Sequence, residues 1–210
     1  MVKHLSRADK NNIAAAIAES ERHTSAELAV VIAPASDPYQ SFMLLYGLFL
    51  GSMVDLGLWE ENIVPDFPIL LAIQIAAISL LTFAPWLRHL CLRCVPMHIR
   101  HHRAGKRAYE EYLIVSRHVS SSVPIVLLYI SLAEHYAHIL QSRQVREKIS
   151  DEHWQAIIRE LTSSVASTGL AGACIKAVQH SAELLALNFP EQGQPHEHVR
   201  HIIEVVEQES

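Results

Sequence analysis

Cysteine is scarce. Cys91, Cys94 and Cys174 are the only three in 210 residues, an odd set that excludes a disulfide framework. Charge is scarce as well. Only 19% of residues are charged while 50% are hydrophobic, a richer apolar share than an ordinary soluble domain carries. The formal charge of −5 argues against a dedicated nucleic-acid binder. Met1 to Lys10 is polar and lacks the apolar stretch of a cleavable signal. No phosphate-binding loop is present: Ser120-Ser121-Ser122 precedes a strand-like run without the glycines, the lysine and the helix that such a loop needs. No G-x-S-x-G nucleophile elbow occurs, and no internal repeat is evident.

Long apolar runs dominate the first half. One extends from Ser41 to Trp59, the other from Phe67 to Leu87. About 20 helical residues cross a hydrocarbon layer of roughly 30 Å. The second run suits a span and carries no charge. The first is shorter and contains Asp55, expected near the interface. Trp59 and Trp86 stand at segment ends, where indoles favour the headgroup layer. A short acidic turn, 60–66, joins the runs. Six lysines and arginines and no acids follow between Arg88 and Arg107. The positive-inside rule then places both termini in the cytoplasm, with the basic segment against anionic lipid headgroups. The expected location is the inner (plasma) membrane, crossed twice, with the lipid bilayer as first partner.

The remaining chain alternates helical and strand patterns. Ser6 to Arg22 reads as a helix capped by Ser6 with Asp9, and Glu27 to Ala33 as a buried strand. Arg103 to Val119 reads as a helix, Pro124 to Leu132 as a second strand, and Tyr136 to Leu140 as a third after a turn at Ala133-Glu134-His135. Two helices follow, Asp151 to Ala166 and Leu170 to Asn188, broken at Gly169. This is an α/β layer domain. The expected division is 1–40 and 103–190 for the domain, 41–87 for the hairpin, 88–102 for a basic juxtamembrane segment and 191–210 for a tail. In that tail Val199, Ile202, Ile203 and Val206 suggest a short amphipathic helix.

Together these residues resemble the TPM domain, also called the TPM phosphatase domain. Thr24-Ser25-Ala26-Glu27-Leu28 resembles its T-x-x-E-I opening, and Val123 to Leu132 its G-V-L-I-x-V-S strand. Ala133-Glu134-His135 stands where the family has A-E-R. His138-Ile139-Leu140, Trp154, Gly169-Leu170 and Asn188-Phe189-Pro190 continue the order. The likeness covers residues 6–40 and 103–190. Bacterial members of similar type carry a membrane hairpin after the first strand. The resemblance implies an α/β/α sandwich interrupted by that hairpin, with divalent-metal binding and acid phosphatase activity in some relatives. This chain departs by having Gln141-Ser142 where many members have an acid, and Ser122-Val123-Pro124 where they have glycine. A hard cation needs several oxygen ligands, and the matching loops offer few. No cofactor is therefore assigned.

Three polar residues are the catalytic candidates: Glu134, His135 and His138. Glu134 falls after a strand, where open α/β sheets place ligands. Glu27 starts a strand and reads as a cap or surface ion pair, and Asp151 as a helix cap. Cys91-Leu92-Arg93-Cys94 with His98 and His101 has zinc-ligand residue types, against the plainer reading of small cysteines at a helix end and histidines in a basic strip. Gly47 and Gly51 form a G-x-x-x-G pair usable for helix packing in a homo-oligomer. The leading expectation is an interaction, scaffold or quality-control module for a membrane protein partner. A membrane-tethered phosphatase or metal-dependent hydrolase is the alternative, and a structural oligomer built on the hairpin is the third.

Overall fold

The computed structural model describes residues 5–61, 66–84, 92–120, 122–191 and 203–204. It divides into two compact units, residues 1–36 with 101–210, and residues 37–100.

In the first unit, α1 (Arg7–Glu21) opens with a reciprocal capping box. The Asp9 amide donates to Ser6 Oγ and the Ser6 amide to Asp9 Oδ2, both at 3.1 Å. β1 (Glu27–Ala33) and β2 (Ile125–Ser131) are buried along their whole length, which is why both read as apolar runs interrupted only at their ends, by Glu27 and Ser131. They pair in parallel, Glu27 opposite Ile125. β3 (Tyr136–Gln141) returns antiparallel to β2 and is only partly buried. A two-residue strand, β4 (Ile203–Glu204), lies parallel to the other side of β1, giving the order β3-β2-β1-β4. The expected tail helix is therefore corrected at these positions. The open edge of β1 supplies main-chain partners for a β-branched residue that a lone helical turn in water would not hold. Val199, Ile202 and Val206 lie outside the described residues.

Helices cover both faces of the sheet. Leu28, Val30, Ile32, Val126, Leu128 and Ile130 pack with Ile13 and Ile17 of α1 and with the longest helix. Val31, Leu127 and Tyr129 pack on the other face with Ala108 and Val115 of the helix Met97–His118. That helix starts before the expected Arg103, directly after Pro96, a residue suited to the first turn. The longest helix, Asp151–Asn188, is broken at Gly169, whose φ of 75° and ψ of 169° interrupt the hydrogen-bond ladder where the break was expected. A six-residue helix, Arg143–Lys148, joins β3 to it.

The second unit holds α2 (Gln40–Glu60) and α3 (Phe67–Phe83). Added Cβ atoms at Gly47 and Gly51 would stand 2.7 Å from Ile78 Cα and 2.6 Å from Gln74 Oε1. The glycine pair is thus consumed by packing inside the hairpin. Asp55 Oδ2 accepts from Gln74 Nε2 at 2.9 Å, so its carboxylate is engaged by the facing helix. Below, Tyr39, Met43 and Val95 form a small buried cluster. In chain order the later helices are α4 (Met97–His118), α5 (Arg143–Lys148) and α6 (Asp151–Asn188).

Two helices among the described residues are long and apolar enough to cross a membrane, α2 and α6. They differ in use. α6 buries Trp154, Ile157, Leu161, Ala173, Val178 and Leu185 in the domain core. α2 leaves Leu45, Leu48, Phe49, Met53, Leu56 and Trp59 exposed, and α3 leaves Phe67, Ile69, Ile75 and Phe83 exposed.

Candidate functional site

The structure separates the three catalytic candidates. Glu134 is 1% exposed, in the turn after β2. Its Oε1 accepts from the Ser36 amide at 3.0 Å, and its Oε2 accepts from the Ser131 hydroxyl. Ser36 Oγ donates in turn to Ser131 Oγ at 2.8 Å and lies 2.9 Å from the Tyr129 hydroxyl. With Ser36 Oγ giving its proton to Ser131, the chain runs Tyr129 to Ser36 to Ser131 to Glu134, the phenol donating and both serine hydroxyls donating and accepting. Burial raises the Tyr129 phenol above its ordinary pKa, against the Ser36 hydrogen bond, which lowers it. Close by, Arg107 Nη2 reaches the buried Glu111 carboxylate at 2.6 Å. This polar cluster ties the end of β1 to the β2–β3 turn and leaves Glu134 facing its own donors.

His135 is exposed and takes a left-handed φ of 51°, a turn conformation. His138 lies on β3 opposite Tyr129 and presents an exposed imidazole. Desolvation by its surroundings lowers its pKa, with Asp151 acting the other way. Of the three candidates, His138 alone lines the groove described next.

Beside β3 lies an open groove of about 530 Å³. Its floor is the strand itself, His138 to Gln141. Tyr109 and Tyr112 of α4 form one wall, while Trp154, Gln155, Ile158 and Arg159 of α6 form the other. Arg146 and Asp151 complete its lining. Asp151 accepts from Gln141 Nε2, so it braces the floor in addition to standing in the first turn of α6. Trp154 is 3% exposed, and among the described residues its buried indole N–H has no acceptor and the buried Gln141 Oε1 no donor. In the sequence Trp154 stands out only as a helix marker, and nothing local distinguishes Arg146 or Arg159. Their segments are joined by folding, and no short motif contains them.

The proposed zinc residues do not form a described site. Cys94 is exposed and free, His98 is exposed, and the His101 ring lies 5.4 Å from that of Tyr136. Cys91 lies outside the described residues. Among the described residues no group of three His, Cys, Asp or Glu side chains is placed to hold a metal ion. Cys174 is buried in the core, where desolvation pushes its thiol up to about 12, so it is not a thiolate nucleophile. Glu27, expected on the surface, is buried at 6% and neighbours the buried Glu21. The correction follows from strand pairing: its main-chain amide donates to Pro124 O at 2.8 Å, drawing the residue under the chain that enters β2.

No protein-family model matches the chain, and no curated protein matches it. Its fold is similar to that in the NMR structure of BA42 protein from the psychrophilic bacterium Bizionia argentinensis. The TM-score is 0.58 and the identity 12%, covering 96% of this chain and 95% of that one. At this identity the likeness concerns the mixed α/β fold.

Proposed function

We propose that this chain is a membrane-anchored binding module with a TPM-like α/β/α domain. In this reading α2 and α3 span the inner membrane as a hairpin, and the domain faces the cytoplasm to engage another membrane component. The observation that carries it is the open groove beside β3, the strand at the sheet edge among the described residues, set against a Glu134 whose carboxylate is already enclosed by donors. Binding needs groups that face an open groove, and His138 to Gln141 line one. Hydrolysis would need an activated group facing substrate, and the Glu134 cluster is turned inward.

Several features support the anchoring. α2 and α3 both carry large apolar side chains in the open, as helices that meet lipid do. The basic residues before and within α4 suit anionic headgroups. The enclosure of Gly47 and Gly51 against α3 weighs against their use between copies.

The test is to purify the full chain in mild detergent and measure mass by light scattering, with mass spectrometry of accompanying proteins. A stoichiometric membrane-protein partner is expected, lost on charge reversal at Arg146 and Arg159. A partner-free monomer that hydrolyses phosphomonoesters, with activity lost in Glu134→Gln, would replace the proposal with the phosphatase reading.

A further inference from the structure

β3 is an edge strand whose hydrogen-bonding parity can be assigned. The Ser142 amide donates to Ile125 O at 2.9 Å, so this is a bonded antiparallel pair. Stepping back by two, Leu140, His138 and Tyr136 direct their main-chain groups to β2. Ala137, Ile139 and Gln141 direct theirs to the other side, where no strand pairs among the described residues. The groove runs along that side, between α4 over one face of the sheet and α6 over the other. Its four floor residues span roughly 13 Å of strand at about 3.3 Å per residue. The main-chain groups directed to this side have the bonding pattern of a strand edge open to one additional strand.

Its charge is also uneven. Arg146 and Arg159 are exposed and, among the described residues, neither forms an ion pair. The one acid on the walls, Asp151, is engaged by the Gln141 amide. The aromatic rings of Tyr109 and Tyr112 stack at 6.4 Å on the opposite wall. The main chain thus asks for an extended peptide, while the side chains ask for carboxylates beside apolar groups.

Resting on the reading of the chain as a binding module, we infer that the groove takes an extended acidic segment of a partner protein, which adds to the sheet antiparallel or parallel to β3 through Ala137, Ile139 and Gln141 and sets carboxylates against Arg146 and Arg159. Main-chain pairing supplies affinity without sequence, and the arginines supply the preference for acid.

The probe is fluorescein-labelled Val-Glu-Val-Glu-Val amide, titrated to about 1 mM, the range of weak encounters, into the full chain in detergent. Three comparisons accompany it: the same peptide with lysine for glutamate, the same peptide N-methylated at alternate residues, and the Arg146→Glu, Arg159→Glu double variant. The acidic peptide should bind at least tenfold tighter than the lysine peptide and lose at least tenfold on either N-methylation or charge reversal. Its binding should slow hydrogen exchange at the Ile139 and Gln141 amides. Equal binding of the N-methylated peptide overturns strand addition and makes the groove a site for isolated carboxylates. Absence of acidic-peptide binding, or preference for the lysine peptide, overturns the inference. The binding-module reading survives either result if a partner still copurifies and is released by the double variant, so the two failures are distinct.

Discussion

The two ends of the β1–β2 pair bury carboxylates in opposite surroundings. At the C-terminal end Glu134 is met by a main-chain amide and a serine hydroxyl. At the N-terminal end Glu21 lies near a second acid, Glu27, and burial together with that like charge pushes Glu21 up to about 8. Desolvation disfavours charge in both places, and the local donors decide whether it is offset. Both carboxylates are buried, whereas the open groove lies beside β3.

The sharpest way to break this comparison is pH. Because Glu21 has a raised pKa when folded, the folded state holds its proton longer than the unfolded chain does. The associated stability is present below the ordinary value of 4.5 and is lost as pH rises toward about 8. Glu21→Gln should remove that loss, gaining about 4 kcal/mol over wild type near pH 8 and little at pH 4, given about 1.4 kcal/mol per pKa unit. Denaturant titrations at several pH values check it; a gain independent of pH would refute the carboxyl account.

Glu134→Ala should cost about 3 kcal/mol, because it strands the Ser36 amide and the serine hydroxyls in a buried site. Thermal unfolding of the detergent-purified chain measures this. A neutral or stabilising result would mark Glu134 as a residue held against stability for function. Gly47→Leu should weaken hairpin packing by about 2 kcal/mol, as overpacking does, read by SDS titration in mixed micelles. An unchanged hairpin with altered oligomeric mass would restore the glycine face to contacts between copies. The smallest effect is expected from His135→Gly, which relieves a left-handed φ and should shift stability by less than about 1 kcal/mol in the favourable direction. A clear loss of partner binding in that variant would give the imidazole a role beyond the turn.

Local patterns were legible in the sequence and lateral ones were not. Glu27 to Ala33 marked β1 to the residue, because a strand covered on both faces carries an unbroken apolar run, here Leu28 to Ala33. Ser6 with Asp9 announced a cap, and Gly169 announced the break, since both act within a single turn. The groove could not be found this way. Tyr109, His138, Arg146, Trp154 and Arg159 come from four elements, and each has an ordinary local explanation. The burial of Glu27 was equally invisible, because it depends on a chain segment that arrives about 100 residues later. Ile203 was misread for the same reason: its periodicity fits a helix, while its partner is the distant edge of β1.

That separation has a consequence for biosynthesis. β1 is apolar from Leu28 to Ala33, yet its neighbour β2 follows about 100 residues behind it on the chain. At about 5–20 residues per second, a ribosome exposes β1 for roughly 5–20 s before that partner can emerge. The hairpin is made within this interval. An unaccompanied β1 is then a sticky nascent segment, so any delay in translating α2 and α3 lengthens the time during which the newborn chain depends on a chaperone.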